Sequence, residues 1–210
     1  MKRILILTAA VAAMIVCGCA QTTKEGQQPS ALDIIMTRTS VRAFTADTVS
    51  REQLETILKA GMAAPTAMNS QPWKFVVLTD KDKIADLLGG GPRSGMFTSA
   101  AAVIIVCGET TSMRKPFGQP DAPETEMPNK FWFEDCSAAA ENILLAAHAL
   151  GLGAVWTAGY PAEDRTAPLS AALGIPEKVK PLCIIPLGVP AETPEPKDKW
   201  NPENIHWEKW

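Results

Sequence analysis

Two arginines stand four positions apart in the stretch RTSVRAF at residues 38–44, and a threonine and a serine directly follow the first of them. A guanidinium group stays charged at any working pH and offers several N–H donors in a fixed fork, and hydroxyl groups can donate to the remaining oxygens of an oxyanion. Arg38, Thr39, Ser40 and Arg42 therefore suit a phosphate. The same pattern fits two solvated arginines that pair with carboxylates, and their spacing alone leaves both interpretations open.

Three further stretches carry polar groups at predicted turns. Residues 64–73 (APTAMNSQPW) offer Thr66, Asn69 and Gln71 between a predicted helix and a predicted strand, where free backbone groups can contact a ligand. An ordinary turn would explain this stretch equally well. The other two stretches are WTAGYP at residues 156–161 and PKDK at residues 196–199.

The composition argues against several common kinds of site. The chain has two histidines, His148 and His206, so neither a histidine-rich zinc site nor a Ser-His-Asp triad is predicted, and we expect no metal. The glycine runs at residues 89–95 and 151–153 fit neither a phosphate-binding loop nor a dinucleotide fingerprint. The formal net charge of −3 gives no indication of a broad basic face that would bind nucleic acid, so we expect small-molecule partners.

The N-terminal nineteen residues have the pattern of an export signal. A basic start precedes an apolar run at residues 4–16 that is too short to span a membrane, and small residues follow it. This end resembles the lipobox of bacterial lipoproteins, because Gly18 precedes Cys19. We predict a signal peptide at residues 1–18 and a lipid on Cys19 that anchors the exported protein to a bacterial membrane, the outer membrane being favoured. A cleaved signal without a lipid is the alternative.

The rest of the chain reads as a flexible tether followed by one folded domain. Residues 19–30 are polar and weakly charged, and residues 31–210 are long and apolar enough for a sizeable core. Cys107, Cys136 and Cys183 lie among apolar residues, and we favour buried free thiols over a disulfide.

Helices and strands alternate along the predicted domain, which indicates a mixed α/β class with one sheet covered by helices. Helices are predicted at residues 31–38, 80–88, 131–150 and 163–173, and a further helix runs from a capping box at Ser50 to just before Pro65. Strands are predicted at residues 73–79, 102–107, 154–157 and 182–187. Residues 109–130 are predicted to form a long loop. The helix at residues 131–150 is apolar on all sides, so it is either a central core helix or part of a dimer interface.

Four motifs, in order, resemble the nitroreductase family of flavin-dependent oxidoreductases: RTSVR, APTAMNSQPW, GLGAVWTAGY, and PLGVP ahead of PKDK. Each motif is weak by itself, whereas the ordered set is highly specific and extends over about residues 31–210. The resemblance implies a nitroreductase-like α+β fold with a central, mostly antiparallel sheet covered by helices. It also implies an intertwined homodimer that binds FMN.

The resemblance further implies which residues contact FMN, with one group of them reaching the flavin from the other subunit. These residues are, for the phosphate and ribityl chain, Arg38, Thr39 and Ser40; for the pyrimidine end of the ring, Arg42; from the other subunit, Pro65, Thr66, Ala67 and Asn69; as a further cofactor contact in the same stretch, Gln71; for the backbone against the ring, Trp156, Thr157, Ala158 and Gly159; and for the phosphate again, Lys197 and Lys199.

The activity implied is ping-pong reduction of nitroaromatic, quinone or similar electron-poor acceptors by NAD(P)H or another donor, with no side chain acting as acid or nucleophile.

Two departures from the family pattern matter. Ala158 stands where many members have an acidic residue that helps to seat the nicotinamide or substrate, which leaves the donor open, and Thr66 stands where many have serine. Because nicotinamide cofactors are cytoplasmic, the export signal supports an alternative: a membrane-anchored electron-relay protein with little nicotinamide-dependent turnover.

Overall fold

The computed structural model describes residues 29–210. The predicted signal peptide and Cys19 lie outside the described residues, as does most of the predicted tether, so these domain limits stay predictions. The described α-helices are α1 (Ala31–Thr37), α2 (Arg51–Met62), α3 (Lys81–Leu88), α4 (Gly95–Thr98), α5 (Trp132–Ala149) and α6 (Glu163–Leu173). The strands are β1 (Trp73–Leu78), β2 (Ala102–Glu109), β3 (Thr111–Arg114), β4 (Thr125–Pro128), β5 (Gly153–Ala154), β6 (Thr157–Ala158) and β7 (Val179–Gly188).

One five-stranded sheet forms the centre of the domain, and every pairing in it is antiparallel. The strand order is β1-β2-β7-β5, and β6 also pairs with β7. The strand predicted at residues 154–157 is therefore split into two short strands along β7, interrupted at Val155 and Trp156. The predicted α+β fold with an antiparallel sheet covered by helices is confirmed.

Helices cover the sheet on both faces because alternate residues of its strands point to opposite sides. Ile104 of β2 belongs to a cluster that includes Ile143 of α5, whereas the next residue, Ile105, belongs to a second cluster with Ile84 of α3 and Leu169 of α6. The sheet thus separates two hydrophobic cores, one under α5 and the other under α3 and α6.

The capping box predicted at Ser50 is confirmed, and the structure adds a second one at Ser30 that was not predicted. The Ser30 side chain accepts from the N–H of Asp33, and the Asp33 carboxylate accepts from the Ser30 N–H, which closes a capping box at α1. The same reciprocal pair joins Ser50 and Gln53 at α2. These contacts satisfy backbone donors that each helix start would otherwise leave without a partner.

The region predicted as one long loop differs from the prediction. Residues 109–130 contain the β3–β4 ribbon, in which Thr111 lies opposite Pro128. Ser112 donates to the amide oxygen of the buried Asn129. Short strands with polar residues on both faces lack the hydrophobic alternation that predicts strands, so the sequence pattern gave no sign of them.

Apolar surface is left uncovered within the single chain. The apolar side chains of α1 are exposed, with Leu32 at 71%, Ile35 at 53% and Met36 at 75% of full exposure. Leu150, at the end of α5, is also exposed, so burial of this helix on all sides is not achieved within one chain. Contiguous exposed apolar surface of this kind marks interaction sites.

The three described cysteines are buried and free, as predicted. Burial raises the pKa of Cys107 and Cys136 to about 12, and it raises the pKa of Cys183 further. Within residues 29–210, no helix is both long and apolar enough to cross a membrane.

Candidate functional site

Residues 38–42, the first segment, directly follow α1 and are attached to the sheet by their central residue. The N–H of Val41 donates to the carbonyl of Ala154 over 3.1 Å, and the Val41 side chain is buried. Gly153 lies opposite, and a Cβ there would stand 2.6 Å from Val41 Cγ1, so only glycine fits without displacement. The backbone and the core together fix the first segment.

The two predicted anion-binding arginines of the first segment have different surroundings. Arg38 is only 19% exposed, and its Nε lies 3.4 Å from the carboxylate of Glu141 on α5. One residue earlier, the Thr37 hydroxyl lies 2.9 Å from Nε2 of His148. Burial, and secondarily the positive charge of Arg38, lowers the pKa of His148. Arg38 thus lies against α5 and pairs with Glu141. The sequence pattern left a pairing with a carboxylate open but did not identify which carboxylate.

Arg42 faces a cavity instead. Its N–H donates to the Glu192 carboxylate over 2.6 Å, and its guanidinium donates to the Ser40 carbonyl over 3.2 Å. The Arg42 side chain and residues 155–158 line a cavity of about 900 Å³. The structure therefore brings Arg42 to one cavity with Trp156, Thr157 and Ala158, three of the four residues predicted to lie against the ring.

Residues 156–159, the third segment, lie along β7. The Thr157 hydroxyl donates to the Ile184 carbonyl over 2.6 Å, and a Cβ on Gly159 would stand 2.7 Å from the Pro181 carbonyl oxygen. Arg165 of α6 donates to the Ala158 carbonyl over 2.8 Å. The close approach to β7 requires glycine at position 159 and orients this backbone.

Residues 65–71, the second segment, combine unusual backbone geometry with a single buried anchor. Met68, Asn69 and Gln71 have φ angles of 52°, 54° and 46°, a left-handed conformation that is uncommon for residues other than glycine. The carboxylate of Asp135, which is 6% exposed, accepts from the Ala67 N–H over 2.9 Å and from the Ser70 hydroxyl over 3.0 Å. Non-glycine residues in this conformation concentrate at functional sites, where the surroundings hold them in place.

The second segment does not meet Arg38 within one chain. It is bound to Asp135 in the first turn of α5, whereas Thr37, next to Arg38, contacts His148 in the last turn. Arg38 itself pairs with Glu141, six residues and roughly 9 Å along α5 from Asp135, and Thr37 makes its contact thirteen residues, roughly 20 Å, along the helix. One chain therefore supplies Arg42 and most of the third segment to the cavity, and no hydrogen bond or ion pair within residues 29–210 joins its second segment to Arg38.

The C-terminal lysines are likewise not brought to the first segment. Lys197 and Lys199 are exposed on the tail that follows β7, and neither side chain forms a hydrogen bond or an ion pair within residues 29–210. The described residues also contain no group of three or more His, Cys, Asp or Glu side chains that could hold a metal ion.

Comparison with known proteins agrees with this geometry. Residues 35–90 and 90–189 match the family described as the Nitroreductase family. The chain belongs to this family. It is 40% identical, over 179 residues, to a protein of Methanothermobacter thermautotrophicus provisionally named NADH dehydrogenase/NAD(P)H nitroreductase; the match covers 85% of this chain and 87% of the relative.

Solved structures of nitroreductase relatives have the same fold. A crystal structure from Bacteroides thetaiotaomicron, which has the same provisional name, is 40% identical with a TM-score of 0.75, covering 86% of this chain and 98% of the other. A provisionally named nitroreductase of Desulfovibrio desulfuricans, solved in complex with FMN, is 29% identical with a TM-score of 0.70, covering 88% and 99%.

The residues of this nitroreductase-family chain fit FMN chemically. The partly buried Arg38, Thr39 and Ser40 offer guanidinium and hydroxyl donors for a phosphate, and the cavity beside Arg42 has room for a planar ring. Neither the fold nor the donor set conflicts with the cofactor. The residue-by-residue assignment remains a prediction.

Several residues of the site were not singled out by sequence. Asp135, Glu141, Glu192 and Arg165 each contact a predicted flavin segment. Asp135 gave a faint signal as an acidic residue in the first turn of a helix, a position that normally complements the helix dipole at the surface. The others are ordinary surface charges in sequence, and only the fold reveals their partners.

Proposed function

We propose that this protein is an FMN-dependent oxidoreductase that reduces nitroaromatic, quinone or similar electron-poor acceptors in a ping-pong cycle. The observation that carries the proposal is one cavity lined by Arg42 together with Trp156, Thr157 and Ala158. Arg38, Thr39 and Ser40, which precede Arg42 in the chain, offer donors suited to an anion. Family membership and the FMN complex of a relative support the same cofactor.

When bound, FMN would supply the two-electron chemistry, accepting a hydride from NAD(P)H or another donor and passing its electrons to the acceptor. The protein binds and orients. Arg38, with Thr39 and Ser40, holds the phosphate, and the backbone of the third segment supports the ring. The Arg42 guanidinium would stabilise the negative charge that reduction adds at the pyrimidine end.

A homodimer completes the proposed site. Within one chain the second segment binds Asp135 while Arg38 pairs with Glu141, six residues further along α5, and no described hydrogen bond or ion pair joins the two segments. The second segment would therefore reach the flavin from a partner. The exposed apolar face of α1 supports this assembly. Sedimentation equilibrium should give a dimer at micromolar concentration, and Ile35→Asp should shift it toward monomer with loss of bound flavin.

Flavin content is the first test. Protein that begins at residue 29, and so keeps the Ser30 cap of α1, should purify yellow with about one non-covalent FMN per chain. A colourless protein that takes up no added FMN would contradict the proposal.

The two arginines of the first segment should respond differently to substitution. Arg38→Ala should weaken the binding of oxidised and of reduced FMN equally, by about ten- to a hundredfold, because the charge of the phosphate does not change on reduction. Arg42→Met should instead lower the two-electron midpoint potential by about 30–60 mV, since its partner charge arises only on reduction. Equal potentials in wild type and Arg42→Met would rule out the role given to Arg42.

The electron-relay function remains the second candidate, favoured by the alanine at position 158 and by the export signal. Stopped-flow mixing separates the two functions. Rapid bleaching of the flavin by NADH or NADPH supports the enzyme, whereas bleaching only by dithionite or a protein partner supports the relay.

The location is a separate proposal that rests on the N-terminal sequence alone. We propose that Cys19 is lipidated and anchors the exported protein. Full-length protein expressed in a bacterium with a fatty-acid analogue should carry the label and partition into detergent, and Cys19→Ser should lose both properties. Loss of the label in Cys17→Ser alone would contradict the choice of cysteine.

A further inference from the structure

The cavity beside Arg42 extends well past the predicted flavin contacts. One wall is formed by the end of α3 and by residues between positions 90 and 97, and a second wall is formed by α6. Met96 and Phe97 contribute apolar surface on the first wall, and Leu169 does so on the second. A slot with apolar walls of this kind suits a flat aromatic molecule.

The charged groups of this cavity are mainly positive. Arg42, Arg93 and Arg165 line it, against one carboxylate from Asp86. None of the three guanidinium groups forms an ion pair with a carboxylate within the described residues. Arg165 is oriented by its hydrogen bond to the Ala158 carbonyl, at the edge of the third segment.

These cations are distinct from those predicted to hold the flavin phosphate. Arg38 does not line the cavity and pairs with Glu141 on α5 instead. The cavity therefore has two positive groups, Arg93 and Arg165, that the flavin assignment does not use. Like charges that share a cleft repel each other, so an anion bound between them gains from both.

We propose that this cavity selects anionic, electron-poor aromatic acceptors, binding their carboxylate or equivalent anion through Arg93 and Arg165. The aromatic ring then lies between the apolar walls, and the reducible group faces Arg42 and the third segment. The inference rests on the proposed oxidoreductase function, and it specifies the substrate class of the same site.

A matched pair of ligands tests the charge preference without turnover. Isothermal titration calorimetry of the oxidised holoprotein, with no electron donor present, should give tighter binding for 4-nitrobenzoate than for the neutral 4-nitrobenzamide. We expect about a tenfold preference at low ionic strength that shrinks as salt is added, because these groups are solvent-accessible.

Substitutions then assign the preference to residues. Arg93→Gln and Arg165→Gln should each reduce the preference by about three- to fivefold, and Arg93→Lys and Arg165→Lys should retain most of it. Arg51→Gln is the matched control, because Arg51 is an exposed arginine on α2 that pairs with Glu55 and does not line the cavity.

Two results would overturn the inference. One is equal affinity of the wild-type protein for the two ligands. The other is loss of bound FMN in Arg93→Gln or Arg165→Gln, which would assign these cations to the cofactor. Failure of the proposed function is distinguishable, since it appears as absent flavin or as flavin that neither NADH nor NADPH bleaches, and the ligand preference can be measured without turnover in either case.

Discussion

The first and second segments are both predicted to contact FMN, yet the fold holds them in opposite ways. The first segment is fixed by its own backbone, through the hydrogen bond from Val41 to Ala154, and by a side chain buried in the core. The second segment has three left-handed residues and depends on the carboxylate of Asp135. One segment is thus built into the sheet, whereas the other is held by one side chain.

This difference predicts opposite sensitivities to mutation. A segment anchored by backbone and packing tolerates loss of a surface charge but not added volume, because protein cores are close-packed. A segment anchored by one carboxylate should fail when that carboxylate is removed. Four substitutions, in order of decreasing effect, examine the comparison.

The largest effect is expected for Asp135→Ala. Removing the carboxylate leaves the Ala67 N–H and the Ser70 hydroxyl without their partner, at a cost of about 3 kcal/mol in the free energy of unfolding. Thermal unfolding should shift down by about 6–12 °C, with loss of bound flavin. Asp135→Asn, which can accept one bond and donate the other, is the control and should lose much less. Similar unfolding temperatures for Asp135→Ala and wild type would show that contacts other than those of Asp135 hold the second segment in place.

Gly153→Ala examines the first segment. The new methyl group would stand 2.6 Å from Val41 Cγ1, and overpacking of this kind costs about 1–3 kcal/mol. We expect lower thermal stability and weaker FMN binding, because Val41 moves with its neighbours Ser40 and Arg42.

The second substitution Val41→Ala makes room for the added methyl group and should restore part of the flavin affinity in the double mutant. Gly95→Ala meets no atom within 4 Å and serves as the control. Unchanged stability in Gly153→Ala would mean that the first segment shifts freely, contrary to the comparison.

A smaller effect of unusual sign is expected for Glu141→Gln. The carboxylate pairs with Arg38 and is 49% exposed, so its contribution to stability is below about 1 kcal/mol. A phosphate bound by Arg38 would be repelled by this carboxylate, and its removal should tighten FMN binding by about two- to fivefold. Fluorescence titration of the apoprotein with FMN measures the change. Weaker binding would indicate that Glu141 orients Arg38 and does not compete for it.

The smallest effect concerns pH. Because burial lowers the pKa of His148, the unfolded chain binds a proton more readily than the folded one, and stability falls as pH drops from above 6.5 through the lowered pKa. His148→Gln should remove this pH-dependent contribution to stability. The difference between the unfolding temperatures of mutant and wild type should therefore shrink by about 1–2 °C as the pH falls from 7 to 5. A constant difference across this range would exclude His148 as the titrating group.

Local signals in the sequence predicted much of the fold. The capping boxes at Ser30 and Ser50 and the apolar runs of β2 and β7 determine structure within a few residues, so their elements were predictable. The β3–β4 ribbon depends on cross-strand pairing and on Asn129, and neither leaves a periodic pattern.

The site was predictable only where its contacts are close in sequence or belong to a family motif. The pairing of Arg38 with Glu141 joins residues more than a hundred positions apart, and so does the contact of Thr37 with His148. Arg93 and Arg165 belong to no motif, and they line one cavity only because the segment before α4 and helix α6 both border it.

The three buried cysteines have a chemical consequence if the protein reduces quinones, as we propose. Quinones are electrophiles that arylate thiolates, and the thiolate is the reactive form of cysteine. With the pKa of Cys107 and Cys136 raised to about 12 and that of Cys183 higher still, almost no thiolate exists in the folded domain at neutral pH. The folded core thus resists covalent inactivation by the acceptors proposed for its cavity, and the domain becomes vulnerable to them only when it unfolds.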